Sequence, residues 1–461
     1  MTKNDLISLE ITGLSNDGSG VGRHEGMAVF VPFTAPGDVA EVRIVKVTKS
    51  YAFGILAKLL TPSPARVAAD CEAFGRCGGC ALRHLSYETE LLAKRGFVQD
   101  AFSKLGGFAV EAAPCLPSPE EDRYRNKVQY PLVAEPDGTV RYGFFASRSH
   151  RVIPCADCKL QPAELNLIAD ALCALFTEYG ITVYDEASRK GVLRHLYLRR
   201  GAHSGEVMVC IVVNANRLKQ EAELVAQLTA KFPSIKTILI NSNRENTNVI
   251  LGRRSRTIFG DGYITDTLCG VPVKLGPASF YQVNTLAAEQ LYGTAKALAA
   301  LRPGEVLLDL YCGTGTIGLS MADGIGELIG VEIVPEAVES ARRNAAEMGI
   351  ANARFFCEDA GAAAAHLAEE GLRPDVIVLD PPRKGCDAPT LDAVLKMAPQ
   401  RIVMVSCNAA TAARDCQKLC AEGYVLHQIS PVDLFPRTRH CEVVCLLQRY
   451  VMNEYIIKED V

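Results

Sequence analysis

Tryptophan is absent from this chain of 461 residues, and nothing functional follows from that. Long apolar runs are also absent. No uninterrupted stretch approaches the ~18–20 apolar residues of a membrane span, which argues against helical membrane insertion. The opening Met1-Thr-Lys-Asn-Asp-Leu lacks a basic segment leading into an apolar one, so no secretory signal is read and a cytoplasmic protein is expected. No charge of one sign dominates: 49 Lys and Arg stand against 53 Asp and Glu, a formal net of −4. Any nucleic-acid surface must therefore be a local patch. With 48% apolar and 22% charged residues, the composition excludes a disordered chain, a collagen-like repeat and a coiled-coil rod. At roughly 100–200 residues per domain, the length predicts two to four domains.

Cysteine, in contrast, is plentiful. Seventeen without a signal segment predict reduced thiols, some of them spent on metal or catalysis, in place of a disulfide scaffold.

The chain divides into three. Residues 1–60 read as short strands: Ala40, Val42 and Ile44 share one face while Glu41 and Arg43 share the other. Several such strands predict a small OB-type barrel. Residues 61–260 form a β-rich central unit. It has a Pro- and Cys-containing loop, a helical insert at about 86–113 and a helix near Glu221–Lys231. From 261 to 461, strands such as Glu305–Leu310, Leu328–Glu332, Val376–Asp380, Ile402–Ser406 and Val443–Leu447 alternate with helices. That alternation predicts an α/β, doubly wound Rossmann-like sheet.

Two strand ends carry a nucleotide-type pocket. Leu307–Leu310 runs into Tyr311-Cys312-Gly313-Thr314-Gly315-Thr316-Ile317-Gly318, where glycines permit a tight turn and a close ligand. Glu332 closes the next strand, where a carboxylate can grip both ribose hydroxyls. This fits NAD or S-adenosylmethionine. The turn Asp380-Pro381-Pro382-Arg383-Lys384-Gly385 resembles that of adenosylmethionine-dependent methyltransferases acting on bases.

Cys407 follows a buried strand and precedes a helix expected near Thr411. A helix N-terminus is expected to lower its thiol pKa. A thiolate can add to C6 of a pyrimidine and activate C5 towards an electrophilic methyl. A base must then remove H5, and Glu442 precedes the last strand at the same pocket edge.

Cys71, Cys77 and Cys80 place three thiols in ten residues, with Cys155 and Cys158 as downstream candidates for a fourth ligand. Four thiolates suit a [4Fe–4S] cluster or a structural zinc. Between Arg123 and Lys159, seven basic residues interleave with Tyr124, Tyr130, Tyr142, Phe144 and Phe145, a pattern able to contact phosphates and unstacked bases. Arg194-His195 and Arg199-Arg200 form a second candidate patch.

Taken together, these motifs resemble the bacterial 23S ribosomal RNA (uracil-5-)-methyltransferases that carry a TRAM domain and an iron–sulfur cluster. The resemblance covers nearly the whole chain. It implies a TRAM barrel, S-adenosyl-L-methionine as methyl donor and a [4Fe–4S] cluster on Cys71, Cys77, Cys80 and Cys158. Ser279-Phe280-Tyr281-Gln282-Val283-Asn284 is similar to a family signature and implies that Gln282 contacts the cofactor. Tyr311 and Gly313 would line its site, Glu332 would hold the ribose and Asp359 would meet the adenine amino group. Asp380 would lie between cofactor and target base. Ser406-Cys407-Asn408 is similar to the nucleophile motif, and Phe435-Pro436-x-Thr438-x-His440-x-Glu442 to the base motif. The partner implied is RNA, most closely 23S rRNA, with no membrane and no protein partner. The alternatives are a tRNA uridine-5-methyltransferase, a noncatalytic RNA-binding assembly factor and, more distantly, a nicotinamide dehydrogenase.

Overall fold

A computed structural model describes residues 1–450. Part of the expected third unit, residues 451–461, lies outside the described residues. Strands β1 (Leu6–Leu14), β2 (Gly20–His24), β3 (Met27–Val31), β4 (Val39–Val47) and β5 (Tyr51–Thr61) close into a barrel in the order β1-β2-β3-β5-β4. Alternation along each strand sends Ile7, Leu9, Ile11, Val29, Val31, Val42 and Ile44 inward, where they are buried.

A second sheet follows, built from β6 (Lys127–Ala134), β7 (Val140–Phe145), β8 (Val152–Pro154), β9 (Leu193–Arg200), β10 (Val207–Val213), β11 (Ile235–Ser242) and β12 (Arg254–Phe259). Its order is β12-β11-β10-β9-β6-β7-β8. Only β10–β11 is a parallel pair, because α3 (Glu221–Lys231) makes the crossover between them. Helix α2 (Ala163–Glu178) covers the same face. It was not anticipated, although Leu165, Ile168, Ala169, Leu172 and Phe176 keep helical spacing and are all buried there. The other face, through Tyr197, Met208, Cys210 and Leu239, shares one continuous core with the C-terminal unit.

That unit begins with the hairpin β13 (Ile264–Leu268) and β14 (Val271–Leu275). Its two-residue turn puts Cys269 at φ 52 and Gly270 at φ 78, as a hairpin matched to strand twist requires. Helix α4 (Thr285–Ala299) leads into the third sheet: β15 (Val306–Leu310), β16 (Glu327–Glu332), β17 (Ala353–Cys357), β18 (Val376–Leu379), β19 (Arg401–Ser406), β20 (Tyr424–Val432) and β21 (Glu442–Arg449). The order is β17-β16-β15-β18-β19-β21-β20. The first five strands are parallel; β15, β16, β18 and β19 are buried on both faces, β17 forms a partly exposed edge, and β21 inserts antiparallel between β19 and β20. Helices α5 (Thr316–Met321) and α6 (Pro335–Glu347) join α4 on one face. On the other lie α7 (Ala360–Glu369), α8 (Ala388–Met397) and α9 (Ala409–Ala421).

The insert forms α1 (Tyr87–Asp100), which continues as a π-helical turn over Ala101–Leu105. Val98, Phe102 and Ala112 bury themselves in the core of the C-terminal sheet, and residues 112–116 run beside β20.

Candidate active site

The strand order reverses between β15 and β16 on one side and β18 on the other. Ligands of such sheets bind beyond the carboxyl ends of the strands at this point. The turn after β15 is built to stay open: Tyr311, Gly313 and Gly315 take φ of 66, 55 and 78. The Gly313 amide donates to Glu332 Oε2 at 3.0 Å, and the Val334 amide donates to Oε1 at 2.9 Å. The glycine turn and the carboxylate are thus one unit, with acceptor capacity left on both oxygens. Ile333 and Val334, beside it, are 62% and 46% exposed and give the rim of the turn an apolar surface.

The Tyr311 hydroxyl lies 3.2 Å from Thr390 Oγ1 at the start of α8. Asp359 is the N-cap of α7: its Oδ1 accepts the amides of Gly361 and Ala362 at 3.0 and 3.2 Å. Capping occupies that oxygen.

Gln282 is fixed twice. Its carbonyl accepts from Asn126 Nδ2 at 2.7 Å, and its Nε2 donates to the Tyr292 hydroxyl at 3.3 Å. Arg199 secures the same loop through the carbonyls of Gly276 and Ser279. Tyr292 is buried, and its phenol feels both Asp380 and Glu442, so Gln282 and those carboxyls meet at one place.

Cys407 and Glu442 meet there too, for a reason of register. Ser406 pairs with Val443 across the antiparallel β19–β21 ladder. Cys407 and Glu442 are the next residues outward on each strand. Asn408 caps α9 by accepting the Ala410 amide at 3.1 Å, and its Nδ2 donates to the Arg383 carbonyl at 3.1 Å. The Asp380–Gly385 turn is thereby tied to the Cys407 turn.

Electrostatics correct one expectation. The Cys407 thiol is raised, not lowered. Burial is the main cause, Glu442 and Asp380 add to it, and Arg383 opposes it. The helix N-terminus does not prevail because Cys407 precedes the cap and faces two carboxyls. Burial pushes Glu442 to about 8, with a contribution from Asp380, and pushes Asp380 itself to about 7. Carboxyls held in this range retain protons near neutrality, which relieves the repulsion on the thiol. Sequence reading assigned no role to Arg383 or Tyr292. The basic residue inside the Asp-Pro-Pro-Arg turn was the only signal for the first, and nothing flagged the second.

Elsewhere, Cys77, Cys80, Cys155 and Cys158 gather, with Cys71 near enough to act on Cys77 and Cys155. Among the described residues, no group of three or more His, Cys, Asp and Glu side chains is set closely enough to hold a metal ion. The donor chemistry nevertheless fits one. The Gly79 amide donates to Cys77 Sγ at 3.3 Å. Cys158 is lowered to about 7, first by the Cys155 thiol and then, against burial, by the amides of Leu160 and Gln161. Backbone amides aimed at a sulfur favour a thiolate ligand.

The aromatic middle needs correction. Tyr130 and Tyr142 are 0% and 4% exposed because strand alternation turns them into the core, and Tyr124, in the loop before β6, is 5% exposed with its hydroxyl donating to the Pro436 carbonyl at 2.9 Å. Phe145 remains exposed. In the second patch, Arg194 and Arg199 are buried on backbone carbonyls and are structural.

No helix among the described residues is long and apolar enough to cross a membrane. Residues 86–450 match the family model described as tRNA (Uracil-5-)-methyltransferase, and residues 3–57 match the TRAM domain. A relative from Halalkalibacterium halodurans, described as an uncharacterized RNA methyltransferase, is 40% identical over 449 residues, covering 97% of this chain and 98% of its own. One from Clostridium tetani with the same description is 40% identical over 448 residues, covering 97% of each. The crystal structure of Pyrococcus abyssi tRNA (uracil-54, C5)-methyltransferase in complex with S-adenosyl-L-homocysteine aligns with a TM-score of 0.74 at 27% identity, covering 96% of this chain and 100% of that one. A glycine turn at a strand end held by Glu332, a TRAM barrel and full-length relatives lead to one conclusion: the chain belongs to the RNA (uracil-5-)-methyltransferase family and is an S-adenosylmethionine-dependent enzyme acting on RNA.

Proposed function

We propose that the enzyme methylates C5 of a uridine in 23S rRNA through a covalent adduct between Cys407 and C6 of the base. The observation that carries this reading is the convergence of a thiol and a carboxyl, Cys407 and Glu442, at one end of the β19–β21 ladder beside the cofactor turn. S-adenosylmethionine supplies an electrophilic methyl group. Glu332, Gly313, Gln282, Tyr311 and Asp380 are the residues that would hold it, with Asp359 at the adenine end.

The chain's own groups do the rest. The Cys407 thiolate adds its electron pair to C6, and the displaced π electrons make C5 nucleophilic. Once C5 holds the methyl and the donor has left as the neutral thioether S-adenosylhomocysteine, Glu442 removes H5. The C5–H electrons re-form the C5–C6 double bond, and the C6–S bond breaks to return the thiolate. Arg383 faces the sulfur and favours its charged form in both the first and last steps. The target base must leave its stack to reach this pocket.

RNA outside the base would rest on two surfaces. On the barrel, Phe30, Tyr51 and Phe53 pack edge-on or tilted at 5.4–5.8 Å on the outer face, next to the exposed Arg23, Arg43 and Lys46. Beside the cysteine loop, Phe145, Arg148 and His150 flank Gly78 and Gly79. A [4Fe–4S] cluster on Cys71, Cys77, Cys80 and Cys158 would fasten that loop. The thiol donor set and the amides on Cys158 support this assignment.

Incubation with S-adenosylmethionine and RNA containing 5-fluorouridine should trap a covalent protein–RNA adduct, since fluorine cannot be removed as a proton. Adduct formation by Cys407→Ala would overturn the nucleophile assignment. One observation favours tRNA as an alternative substrate: the Pyrococcus abyssi enzyme is described as acting on uracil-54 of tRNA. Mapping 5-methyluridine in 23S rRNA and in tRNA, from cells with and without the gene, separates the two.

A further inference from the structure

We propose that Lys94, on α1 and remote in sequence from the cofactor and catalytic motifs, is a positioning residue for the removal of H5. It pins the connection that carries Glu442. The proposal rests on the covalent-adduct reading above.

Lys94, Glu90 and Asp433 are all fully buried. Lys94 Nζ donates to Glu90 Oε1 at 2.7 Å, to Asp433 Oδ1 at 2.6 Å and to the Phe435 carbonyl at 3.1 Å. An ammonium has three donors, and all three are used. Both carboxylates are then bonded a second time to the same connection. Asp433 Oδ1 accepts the Phe435 amide at 3.0 Å, and Glu90 Oε1 accepts the Arg437 amide at 2.7 Å. Arg437 sits at φ 68, a left-handed backbone rarely held by a branched-free long side chain without outside support. That support is visible. Its carbonyl accepts the amides of Ala81 and Leu82 at 3.0 and 3.1 Å, and its guanidinium lies over the Tyr87 ring at 5.5 Å and pairs with Glu121.

The connection so gripped, residues 433–441, joins β20 to β21. Val432 and Glu442 are register partners at its two ends. Glu442 is the first residue of β21, so slack in this connection would reach it before any other residue of that strand. A displacement of about 1 Å at a reacting group can cost ~10²-fold in rate. Docking of α1 does not need the charges, because Val98 and Phe102 already bury themselves against the sheet. A buried ion triad is a poor source of net stability compared with apolar residues of similar volume, so its use here points to geometry.

Two variants test this. Lys94→Met leaves two buried carboxylates uncompensated and is at risk of misfolding. The triple variant Lys94→Met, Glu90→Gln, Asp433→Asn removes the charges together and guards against that. Two rates and one amount are read with S-adenosylmethionine present: the rates of trapping on 5-fluorouridine RNA and of tritium release from RNA labelled at uridine C5, and the steady amount of covalent adduct on ordinary RNA. Trapping precedes proton removal and should stay within about twofold of wild type. Tritium release should fall by ~10²-fold. Adduct should accumulate on ordinary RNA, which a merely loosened fold would not produce. A parallel fall in trapping and release, or no fall in release, overturns the role of Lys94. Failure of the wild-type enzyme to trap 5-fluorouridine RNA overturns the covalent reading itself, and this proposal with it.

Discussion

Ser406 and Val443 are register partners on adjacent antiparallel strands, so Cys407 and Glu442 emerge side by side at one end of the sheet. Both hold their protons more tightly than usual: burial and Glu442 raise Cys407, while burial and Asp380 bring Glu442 to about 8. In the proposed reaction both must lose protons. The value of kcat/KM should therefore climb from about pH 6 to about pH 9 instead of peaking near neutrality. Single-turnover rates across that range provide the check, and a flat profile would refute the assignment of Glu442 as base.

The same carboxyl should cost stability. Its folded pKa of about 8 lies above the ordinary 4.5, so folding holds a proton that the unfolded chain releases. The penalty is absent below about pH 4.5 and grows as pH rises towards 8. Glu442→Gln should then stabilise the protein at pH 8, by the order of a few kcal/mol at most, with little effect at pH 4.5. Denaturation at the two pH values measures the difference, and equal effects at both would contradict it.

Glu332→Ala removes the acceptor for the amides of Gly313 and Val334. Charge-assisted hydrogen bonds are worth about 1.5–3 kcal/mol, so S-adenosylmethionine binding should weaken by ~10–100-fold. Titration calorimetry reads this directly. RNA binding measured without the cofactor should be unchanged.

Gly315→Ala tests the turn itself. At φ 78, a methyl there would sit 3.1 Å from Ala341 Cβ and Leu319 Cδ1 and 3.2 Å from Phe355 Cε1, all in packed surroundings. The expected cost is about 1–3 kcal/mol, seen as a lowered melting temperature along with loss of cofactor binding.

Cys155 and Cys158 are separable by metal content. Cys158→Ser should abolish iron and the brown absorbance of protein purified without air, whereas Cys155→Ser should retain both. The amides of Leu160 and Gln161 point at Cys158. Zinc in place of iron would overturn the cluster assignment.

How much of this could be read from residues alone varied with how local the cause was. The strand–glycine–helix passage at 307–318 and the turns at 380 and 407 are local, and the structure builds them where the pattern put them. Strand β20 was missed because a register shift between Leu426 and Gln428 and a proline at 431 break its alternation. Helix α2 is marked in the residues by the helical spacing of Leu165, Ile168, Ala169, Leu172 and Phe176, but it sits among strands. Tyr130 was read as a ligand-facing aromatic because composition counts rings without faces, yet its neighbours Val128 and Leu132 mark that face as core. Lys94 was beyond reach: its partner Asp433 is 339 residues away, and no local pattern connects them.

The inserted position of β21 also sets an order of events during synthesis. A nascent chain that has passed residue 407 already possesses the nucleotide turn and the sulfur, but β19 still lacks its final neighbour. The base is added only when β21 slides in beside it. Until then the outer backbone edge of β19 is unpaired and the carboxyl side of the proposed site is missing, so one late strand both closes the sheet and completes the pocket.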